Sequence, residues 1–285
     1  MNDVMDTFYD ELEEFKRHYE TIGTDIKVTS TVPLILEKLK KFGFDVINYS
    51  IDEKDYCDYL RIVNYRENYP RYFREFGAAL CQKSVQHYVS YRLLNMRKNS
   101  VYIDVASSNS VFPQIVKKFV GDLEVYKQDI SYKWGIHQEL IGSFASNIPM
   151  SDNSVDYMTL HCSIEHFEDN EDFKFFQEAL RLLAVGGKVC IIPLYLADEY
   201  VIVTSPSVWK NKYSVYAEAP KLDTRAKICL NDSIKQRQSK CFSAEILKEE
   251  LLDKYKDVFN ITIYYIENAD KIEGAKPFVL MLEKR

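Results

Sequence analysis

The stretch VYIDVASSNS, residues 101–110, decides how the rest of the sequence is divided. Its first five residues are rich in β-branched and aromatic side chains, and they predict a strand. The strand runs into a loop of small residues, where many nucleotide-binding folds hold a cofactor. This loop has no glycine, although such loops use glycine for positive φ and for close approach of the backbone to a ligand.

After Asn99 the sequence alternates between strand and helix patterns. This alternation predicts a parallel sheet with helices on both faces. The predicted strands of this part are VYIDV (101–105), LEVYK (123–127), VDYMTL (155–160) and KVCIIPLY (188–195), with helices over 111–120 and 171–184.

The end of the chain departs from the alternation. FNITIYYIE (259–267) and PFVLMLEK (277–284) are two strand patterns joined by a polar segment, which predicts an antiparallel hairpin. The predicted fold class is therefore α/β, a Rossmann-like doubly wound sheet, mostly parallel with a C-terminal antiparallel hairpin, plus an N-terminal helical region.

Residues 1–98 are predicted to form this helical region, without strands, as a lid or accessory to a domain at 99–285. Apolar residues recur at helical spacing over residues 4–19, and a long helix over 72–96 is expected to break near Gly77. Residues 196–240 are too long for a simple connection, so we expect a substrate-facing insertion or a partly mobile loop.

Composition narrows the class of protein. The 285 residues are 46% apolar, which is enough for a full core. The net charge is -6 and no basic cluster stands out, so nucleic acid is not a predicted partner. No apolar run is long enough to span a membrane and the N-terminus has no basic leader pattern, which predicts a cytoplasmic location. Six scattered cysteines without a CxxC pair predict neither a metal site nor a disulfide framework.

Two further stretches carry a family pattern: ASNIPMSDNSVDYMTLHCSIEHFED (145–169) and EALRLLAVGGKVCIIPLY (178–195). With the strand and loop at 101–110, they resemble the class I S-adenosylmethionine-dependent methyltransferases, especially the methyltransferase 11 domain. The resemblance covers about residues 99–195. Its matching positions are Ala145, Pro149, Asp156, Glu165, His166, Arg181, Leu183, Gly186 and Gly187.

The resemblance implies S-adenosyl-L-methionine as cofactor, with S-adenosyl-L-homocysteine as product. Asp104 takes the acidic position at the end of the first strand, and Asp129 takes the place of the carboxylate that binds both ribose hydroxyls. Phe144 replaces the family's adenine-binding aspartate. The predicted cofactor-binding residues are Asp104, Ala106, Ser107, Ser108, Ser110, Asp129, Ile130, Phe144, Ala145 and His161.

The missing glycines predict a changed path for the loop and a retained site. Serine and alanine permit close approach of a ligand, but Asn109 is the one loop residue expected to accept positive φ readily. The three loop serines offer hydroxyls to the methionine carboxylate. A helix that begins just after the loop, with Pro113 in its first turn, would direct free N–H groups at the same anion.

The residues after the fourth strand of the family pattern are candidates for catalysis. His166, beside Glu165, is expected near the donor methyl group, where a histidine can take a proton from a substrate hydroxyl. The alternative is a helix N-terminal residue paired with Glu168 or Asp169.

Further candidates for substrate contact come from the segments around the domain. Arg237 is a candidate for holding an anionic group, with a solvated face as its alternative, and aromatic residues could form a substrate wall. The substrate candidates are Tyr195, Trp209 and Arg237, with Tyr213 and Tyr216 as further aromatic residues of the insertion.

The favoured function is methylation of an oxygen on a small or carrier-linked acceptor, such as a metabolite or a sugar or polysaccharide precursor. A homodimer is the assembly considered. A methyltransferase-like binding or scaffolding protein without activity is the alternative, because the loop glycines are lost. Retention of Asp104 and Asp129 argues against that alternative. A dinucleotide-dependent oxidoreductase is disfavoured by the missing GxGxxG motif and the terminal hairpin.

Overall fold

A computed structural model describes residues 32–209 and 219–285, so the helix expected over residues 4–19 lies outside the described residues. Helices cover both faces of a large central sheet. The strands are β1 (Asp45–Tyr49), β2 (Ser100–Val105), β3 (Leu123–His137), β4 (Leu140–Gly142), β5 (Val155–His161), β6 (Leu183–Ile192), β7 (Val201–Thr204), β8 (Lys227–Leu230), β9 (Ser239–Cys241), β10 (Phe259–Ile266) and β11 (Phe278–Lys284). The helices are α1 (Val32–Lys41), α2 (Glu53–Val63), α3 (Tyr65–Asn68), α4 (Pro70–Phe76), α5 (Leu80–Leu94), α6 (Phe112–Val120), α7 (Glu171–Leu182), α8 (Ala244–Leu247) and α9 (Asp253–Tyr255).

The central sheet has eight strands in the order β1-β10-β11-β6-β5-β2-β3-β4. β11 runs antiparallel to both of its neighbours, and β10 and β11 form the expected C-terminal hairpin. The other pairings are parallel, except where the end of β3 folds back along β4. The predicted fold class is confirmed.

β1 was not expected, because the N-terminal region was predicted to contain no strand. The strand is only five residues long and pairs in parallel with β10 at the edge of the sheet. A strand is recognised by its alternation of apolar and polar residues. This alternation is weak in β1, because Asp45 and Asn48 are polar and Ile47 is exposed. Because β1 joins the N-terminal region to the main sheet, the domain division at residue 98 stays a prediction.

The strand order reverses beside β2. From β2 the chain continues outward through β3 and β4, and then returns to β5 and β6 on the other side of β2. In an open parallel sheet, ligands bind in the crevice at the carboxyl ends of the strands where the order reverses. The fold therefore directs the ends of β2, β3 and β5 toward a single crevice.

The sheet separates two apolar layers, because successive side chains of a strand face opposite sides. Tyr102 and Tyr157 face the layer formed with α5 and α6, and Ile103 and Met158 face the layer formed with α1, α7 and α8. α5 is buried on all sides from Ser84 to Ser90, including its polar residues. It therefore brings hydrogen-bonding groups into the interior near the crevice.

Part of the segment at 196–240 forms a separate three-stranded sheet with the order β8-β7-β9. We call the part of this segment that the structure describes, together with the end of β9 at Cys241, the insertion. Two ion pairs join it to the main domain. Lys240 lies 2.7 Å from Asp172 of α7, with both side chains buried, and the partly buried Arg237 lies 2.6 Å from Glu168. The insertion is therefore packed firmly against the residues that follow β5.

Across residues 32–209 and 219–285, we find no helix with the length and apolar character needed to cross a bilayer.

Candidate cofactor and acceptor site

Two adjoining cavities lie at the crevice predicted by the strand order. The larger, of about 280 Å³, is lined by the end of β3 and by the segment after β5, and the smaller, of about 110 Å³, by the 106–110 loop and α5. Ala106 and Cys162 line both cavities, so they mark the place where the two meet. The predicted site residues that line a cavity are Asp104, Ala106, Ser107, Ser108, Ser110, Asp129, Ile130, Phe144, Ala145, His161 and His166.

The 106–110 loop keeps left-handed backbone turns without glycine. Ala106 has φ 51° and Ser108 has φ 44°, whereas Asn109 is not among the residues with positive φ. The expectation that Asn109 alone would take such a conformation was therefore wrong. A left-handed conformation costs a residue with a Cβ roughly 1–2 kcal/mol, so other interactions must hold this loop.

The end of β3 supplies those interactions. The N–H of Ala106 donates to Oε1 of Gln128 at 3.0 Å, and the N–H of Ser108 donates to Oδ2 of Asp129 at 2.9 Å. The hydroxyl of Tyr132 lies 3.1 Å from that of Ser107 and also donates to the carbonyl of Ser108. Side chains of the neighbouring strand thus offset the strain of the loop.

Asp129 also remains open to the larger cavity. Its Oδ1 accepts hydrogen bonds from the N–H and hydroxyl of Ser131, at 2.9 and 2.6 Å. A carboxylate has about four acceptor positions, so three protein donors leave capacity for a ligand hydroxyl. Beside it lie apolar walls from Ile130, Phe144 and Ala145, which suit a flat ring.

Asp104 is almost fully buried at the end of β2, with 1% exposure. Its Oδ1 accepts a hydrogen bond from the Thr159 hydroxyl at 2.9 Å and lies 3.5 Å from Nδ1 of His161. Burial acts to raise the pKa of Asp104, but His161, Ser110 and Thr159 outweigh it and hold the pKa below its ordinary value. Asp104 is therefore an anion at neutral pH.

The second oxygen of Asp104, Oδ2, has no hydrogen-bond partner within the described ranges. A buried carboxylate oxygen without a partner is costly, and a ligand cation would satisfy it. Lys83 of α5 lines the same small cavity and donates from Nζ to the carbonyl of His161 at 3.2 Å. The small cavity thus combines an unpaired anionic oxygen with an ammonium group, which suits a zwitterionic amino acid.

His166 has one ring nitrogen fixed by the insertion. Its Nδ1 lies 2.8 Å from the carbonyl oxygen of Gln238, and because a carbonyl only accepts, Nδ1 carries the hydrogen. In the neutral ring Nε2 therefore holds a lone pair. Nε2 lies 3.6 Å from Oε1 of Glu165, a buried residue whose pKa is raised by burial. The alternative pairing of His166 with Glu168 does not form, since Glu168 binds Arg237.

The three substrate candidates have different surroundings. Tyr195 lies near the junction of the cavities, with its hydroxyl 3.7 Å from Sγ of Cys162. Arg237 binds Glu168 through two nitrogens, at 2.6 and 2.9 Å, and Trp209 is buried and donates to the Thr204 hydroxyl at 2.7 Å. Arg237 and Trp209 are thus held by protein groups and line neither cavity. Tyr213 and Tyr216 lie outside the described residues.

Sequence reasoning missed five residues at or next to the crevice. Lys83, Gln128 and Cys162 line a cavity, and Gln82 and Gln86 contact Cys162. Two weak signals were present. Gln128 directly precedes Asp129 at a strand end, and Gln82 and Gln86 are four residues apart, so they share a helix face. Neither signal points to a cavity until α5 is placed against the sheet.

No cluster of three or more His, Cys, Asp or Glu side chains suited to a metal ion occurs in the part of the chain that the structure describes.

Comparison with known proteins matches one part of the chain to a family model. Residues 104–191, which contain β2, the loop, the end of β3 and the segment through β6, match the family model described as a methyltransferase domain. This part of the chain is therefore similar to methyltransferase domains. The protein is therefore a methyltransferase with S-adenosylmethionine as its cofactor.

Solved structures of other methyltransferases are distantly similar. The Burkholderia thailandensis 1,6-didemethyltoxoflavin-N1-methyltransferase is 11% identical, with a TM-score of 0.44 over 83% of this chain and 92% of that one. The Haemonchus contortus phosphoethanolamine N-methyltransferase 2 is 14% identical, with a TM-score of 0.43 over 70% of this chain and 52% of that one. A search of curated protein sequences gave no significant match.

The groups at the crevice fit this cofactor. A carboxylate with spare acceptor positions suits a ribose diol, apolar walls suit a purine, and the lysine with the unpaired carboxylate oxygen suits the charges of methionine.

Proposed function

We propose that this methyltransferase transfers the methyl group to an oxygen of a small or carrier-linked hydroxyl compound, with His166 as the general base. The observation that carries the proposal is the hydrogen bond from Nδ1 of His166 to the Gln238 carbonyl, which leaves the Nε2 lone pair available. Nitrogen acceptors that bind as neutral amines have less need of such a base. A neutral hydroxyl becomes a good nucleophile only as its proton leaves.

The larger cavity would hold the adenosine half of the cofactor. Asp129 would accept hydrogen bonds from the ribose hydroxyls, and Ile130, Phe144 and Ala145 would flank the adenine ring. The half-buried Phe144 contacts Trp134 edge-to-face, with 5.4 Å between the ring centres. This contact supports stacking of Phe144 on the adenine ring rather than blocking of the cavity.

The smaller cavity would hold the methionine half. The serine hydroxyls of the loop and Lys83 would bind the carboxylate, and the free Oδ2 of Asp104 would accept from the ammonium group. The positive end of α6, whose N-terminus with Pro113 is where the sequence predicted it, adds to the attraction for the carboxylate.

When bound, the cofactor supplies an electrophilic methyl carbon on a sulfonium, and the electron pair of the breaking C–S bond stays on sulfur. Nε2 of His166 would take the proton of the acceptor hydroxyl, which makes the acceptor oxygen a better nucleophile. The Glu165 carboxylate, 3.6 Å away, stabilises the imidazolium that forms. The Gln238 carbonyl keeps the ring in one orientation, since correct alignment supplies much of the acceleration in methyl transfer.

A purified sample incubated with S-adenosylmethionine and matched alcohols, phenols, amines and thiols tests the proposal. We expect formation of S-adenosylhomocysteine and of a methyl ether, detected by mass spectrometry, with hydroxyl acceptors. His166→Gln should lower kcat by about 10²–10⁴-fold and leave cofactor affinity unchanged. His137→Gln, at an exposed histidine, is the matched control. Turnover of amines alone, or full activity of His166→Gln, would overturn the proposal.

Three broader expectations belong with this proposal. A sugar or polysaccharide precursor is the acceptor class we favour, and we propose a cytoplasmic enzyme because all six cysteines are free thiols, as suits a reducing compartment. Assembly as a homodimer stays a prediction.

A further inference from the structure

We propose that Gln82, Gln86 and Tyr195 form the wall of the acceptor subsite, and that this subsite takes a neutral, hydroxyl-bearing molecule such as a sugar or cyclitol. The inference rests on the proposed function, because it places the acceptor hydroxyl between this wall and His166.

The wall lies next to the place where the reaction would occur. Cys162 directly follows β5 and lines both cavities, so it would lie beside the sulfonium that joins the two halves of the cofactor. Its backbone is left-handed, with φ 52°, and its side chain contacts α5 and the segment after β6. Burial raises the pKa of the Cys162 thiol, so it stays protonated and does not compete for the methyl group.

Three strong hydrogen-bonding groups converge on this one sulfur. Nε2 of Gln82 lies 3.1 Å from Sγ of Cys162, Nε2 of Gln86 lies 3.0 Å away, and the Tyr195 hydroxyl lies 3.7 Å away. A thiol is a weak acceptor. Nε2 of Gln82 also lies 3.1 Å from the Tyr195 hydroxyl. Amide N–H groups prefer oxygen to sulfur as an acceptor, so a ligand oxygen beside Cys162 would improve on the contacts to sulfur.

Two buried acceptor atoms in the same cluster lack partners. Gln86 and Glu165 are each 2% exposed, and among the described residues neither Oε1 of Gln86 nor Oε2 of Glu165 has a hydrogen-bond partner. Each such atom costs about 1–3 kcal/mol. A hydroxyl both donates and accepts, so hydroxyl groups match this mixture of free acceptors and poorly satisfied donors, whereas a carboxylate or phosphate only accepts.

The charge of the cluster also favours a neutral ligand. The wall and the thiol it contacts are uncharged: Gln82, Gln86, Tyr195 and Cys162. The Glu165 carboxyl lies close enough to Cys162 to raise the pKa of its thiol further. Lys83 is the cation beside them. Its Nζ is directed to the His161 carbonyl in the small cavity, where the methionine carboxylate would bind. An anionic acceptor would therefore meet the Glu165 carboxyl, beside a lysine that the methionine carboxylate would already occupy.

The test compares neutral and anionic acceptors of the same size. Methyl glucoside and myo-inositol are the neutral probes, and glucose 6-phosphate and glucuronate are the anionic ones, each with S-adenosylmethionine in excess. We expect kcat/KM to be at least roughly 10-fold higher for the neutral probes. Faster turnover of the anionic probes, or turnover of none of the four, would overturn the inference.

Variants of the wall give the second readout. Gln86→Met should raise KM for the neutral probes about 10-fold, because two buried polar contacts are lost, while S-adenosylhomocysteine affinity measured by calorimetry stays the same. Gln177→Met, at an exposed position of α7, is the control, and the less buried Gln82→Met serves if Gln86→Met does not fold. Unchanged KM in the folded variant would contradict the inference.

The two proposals fail in different ways. Methylation of an anionic hydroxyl compound in a reaction that still depends on His166 would contradict a subsite for neutral acceptors. It would leave the proposed O-methylation intact. Loss of all oxygen methylation, with amines still methylated, would remove the proposed function itself.

Discussion

The proposed cofactor half and the proposed acceptor half of the crevice are built in different ways. In the cofactor half, the loop at 106–110 is held by residues of the next strand, through hydrogen bonds that span 21 and 22 residues of sequence. In the acceptor half, His166 and Glu168 are held by the insertion, through contacts that span 72 and 69 residues. The first half belongs to one strand-helix-strand unit, and the second exists only when distant segments have docked.

This difference explains how the loop can do without glycine. The strain at Ala106 and Ser108 is local, and Gln128 and Asp129 offset it with side-chain acceptors. In the acceptor half, the hydrogen bond that fixes the His166 ring comes from the distant Gln238, so the stability of the docked insertion should control the orientation of His166. We therefore expect substitutions in the cofactor half to lower cofactor affinity, and substitutions in the acceptor half to lower the rate of methyl transfer.

The largest expected effect is on docking of the insertion. Lys240 and Asp172 form an ion pair with 2% and 0% exposed side chains, so Lys240→Met leaves a buried carboxylate without its partner. We expect a loss of about 3–5 kcal/mol in the free energy of unfolding, measured by urea denaturation. Lys248→Met breaks a surface pair with Asp253 and should cost about 0–1 kcal/mol. A small and equal loss of stability in the two variants would contradict the role of the Lys240–Asp172 pair in docking the insertion.

A smaller effect is expected in the methionine part of the cofactor half. Lys83→Met should weaken S-adenosylhomocysteine binding about 10-fold, because one charged contact to the carboxylate is lost. Binding of 5′-methylthioadenosine, which has no amino-acid group, should not change. Lys133→Met, at an exposed lysine of β3, should alter neither ligand. Calorimetry measures the affinity for both ligands. An equal loss of affinity for the two ligands would show that Lys83 acts only through folding.

The smallest effect concerns the strain of the loop. Ala106→Gly should raise the free energy of unfolding by about 0.5–1 kcal/mol, because glycine relieves the left-handed conformation but also gains freedom in the unfolded chain. Ala78→Gly, at an exposed residue outside the left-handed region, should lower stability instead. Destabilisation by both changes would show that Ala106 carries no strain.

Much of the cofactor half could be predicted because its signals are local. The strand ending at Asp104, the carboxylate at Asp129 and the start of α6 all follow from short patterns, and the structure places these elements together at the reversal of the strand order. The conformation of the loop could not be predicted. Residue preferences predict positive φ at Asn109. In the structure, Ala106 and Ser108 have positive φ instead, because their N–H groups donate to side chains at the end of β3.

The acceptor half was less accessible to sequence reasoning. Glu165 and His166 were found through the family pattern, but the carbonyl that fixes the ring belongs to Gln238, which nothing in the local sequence connects to them. Arg237 looked like an anion-binding residue because its partner, Glu168, is distant along the chain. The polar face of α5 was hidden for the same reason, since its role depends on contact with Cys162.

The central claim is that a loop without glycine still holds the cofactor through the end of β3. Calorimetric titration with S-adenosylmethionine and S-adenosylhomocysteine tests it most directly, on the unaltered protein, Asp129→Ala and the exposed-site control Asp122→Ala. We predict binding of both ligands to the unaltered protein and the control, and a loss of roughly 100-fold or more in Asp129→Ala. No binding to folded, cofactor-free protein, or full binding to Asp129→Ala, would contradict the claim.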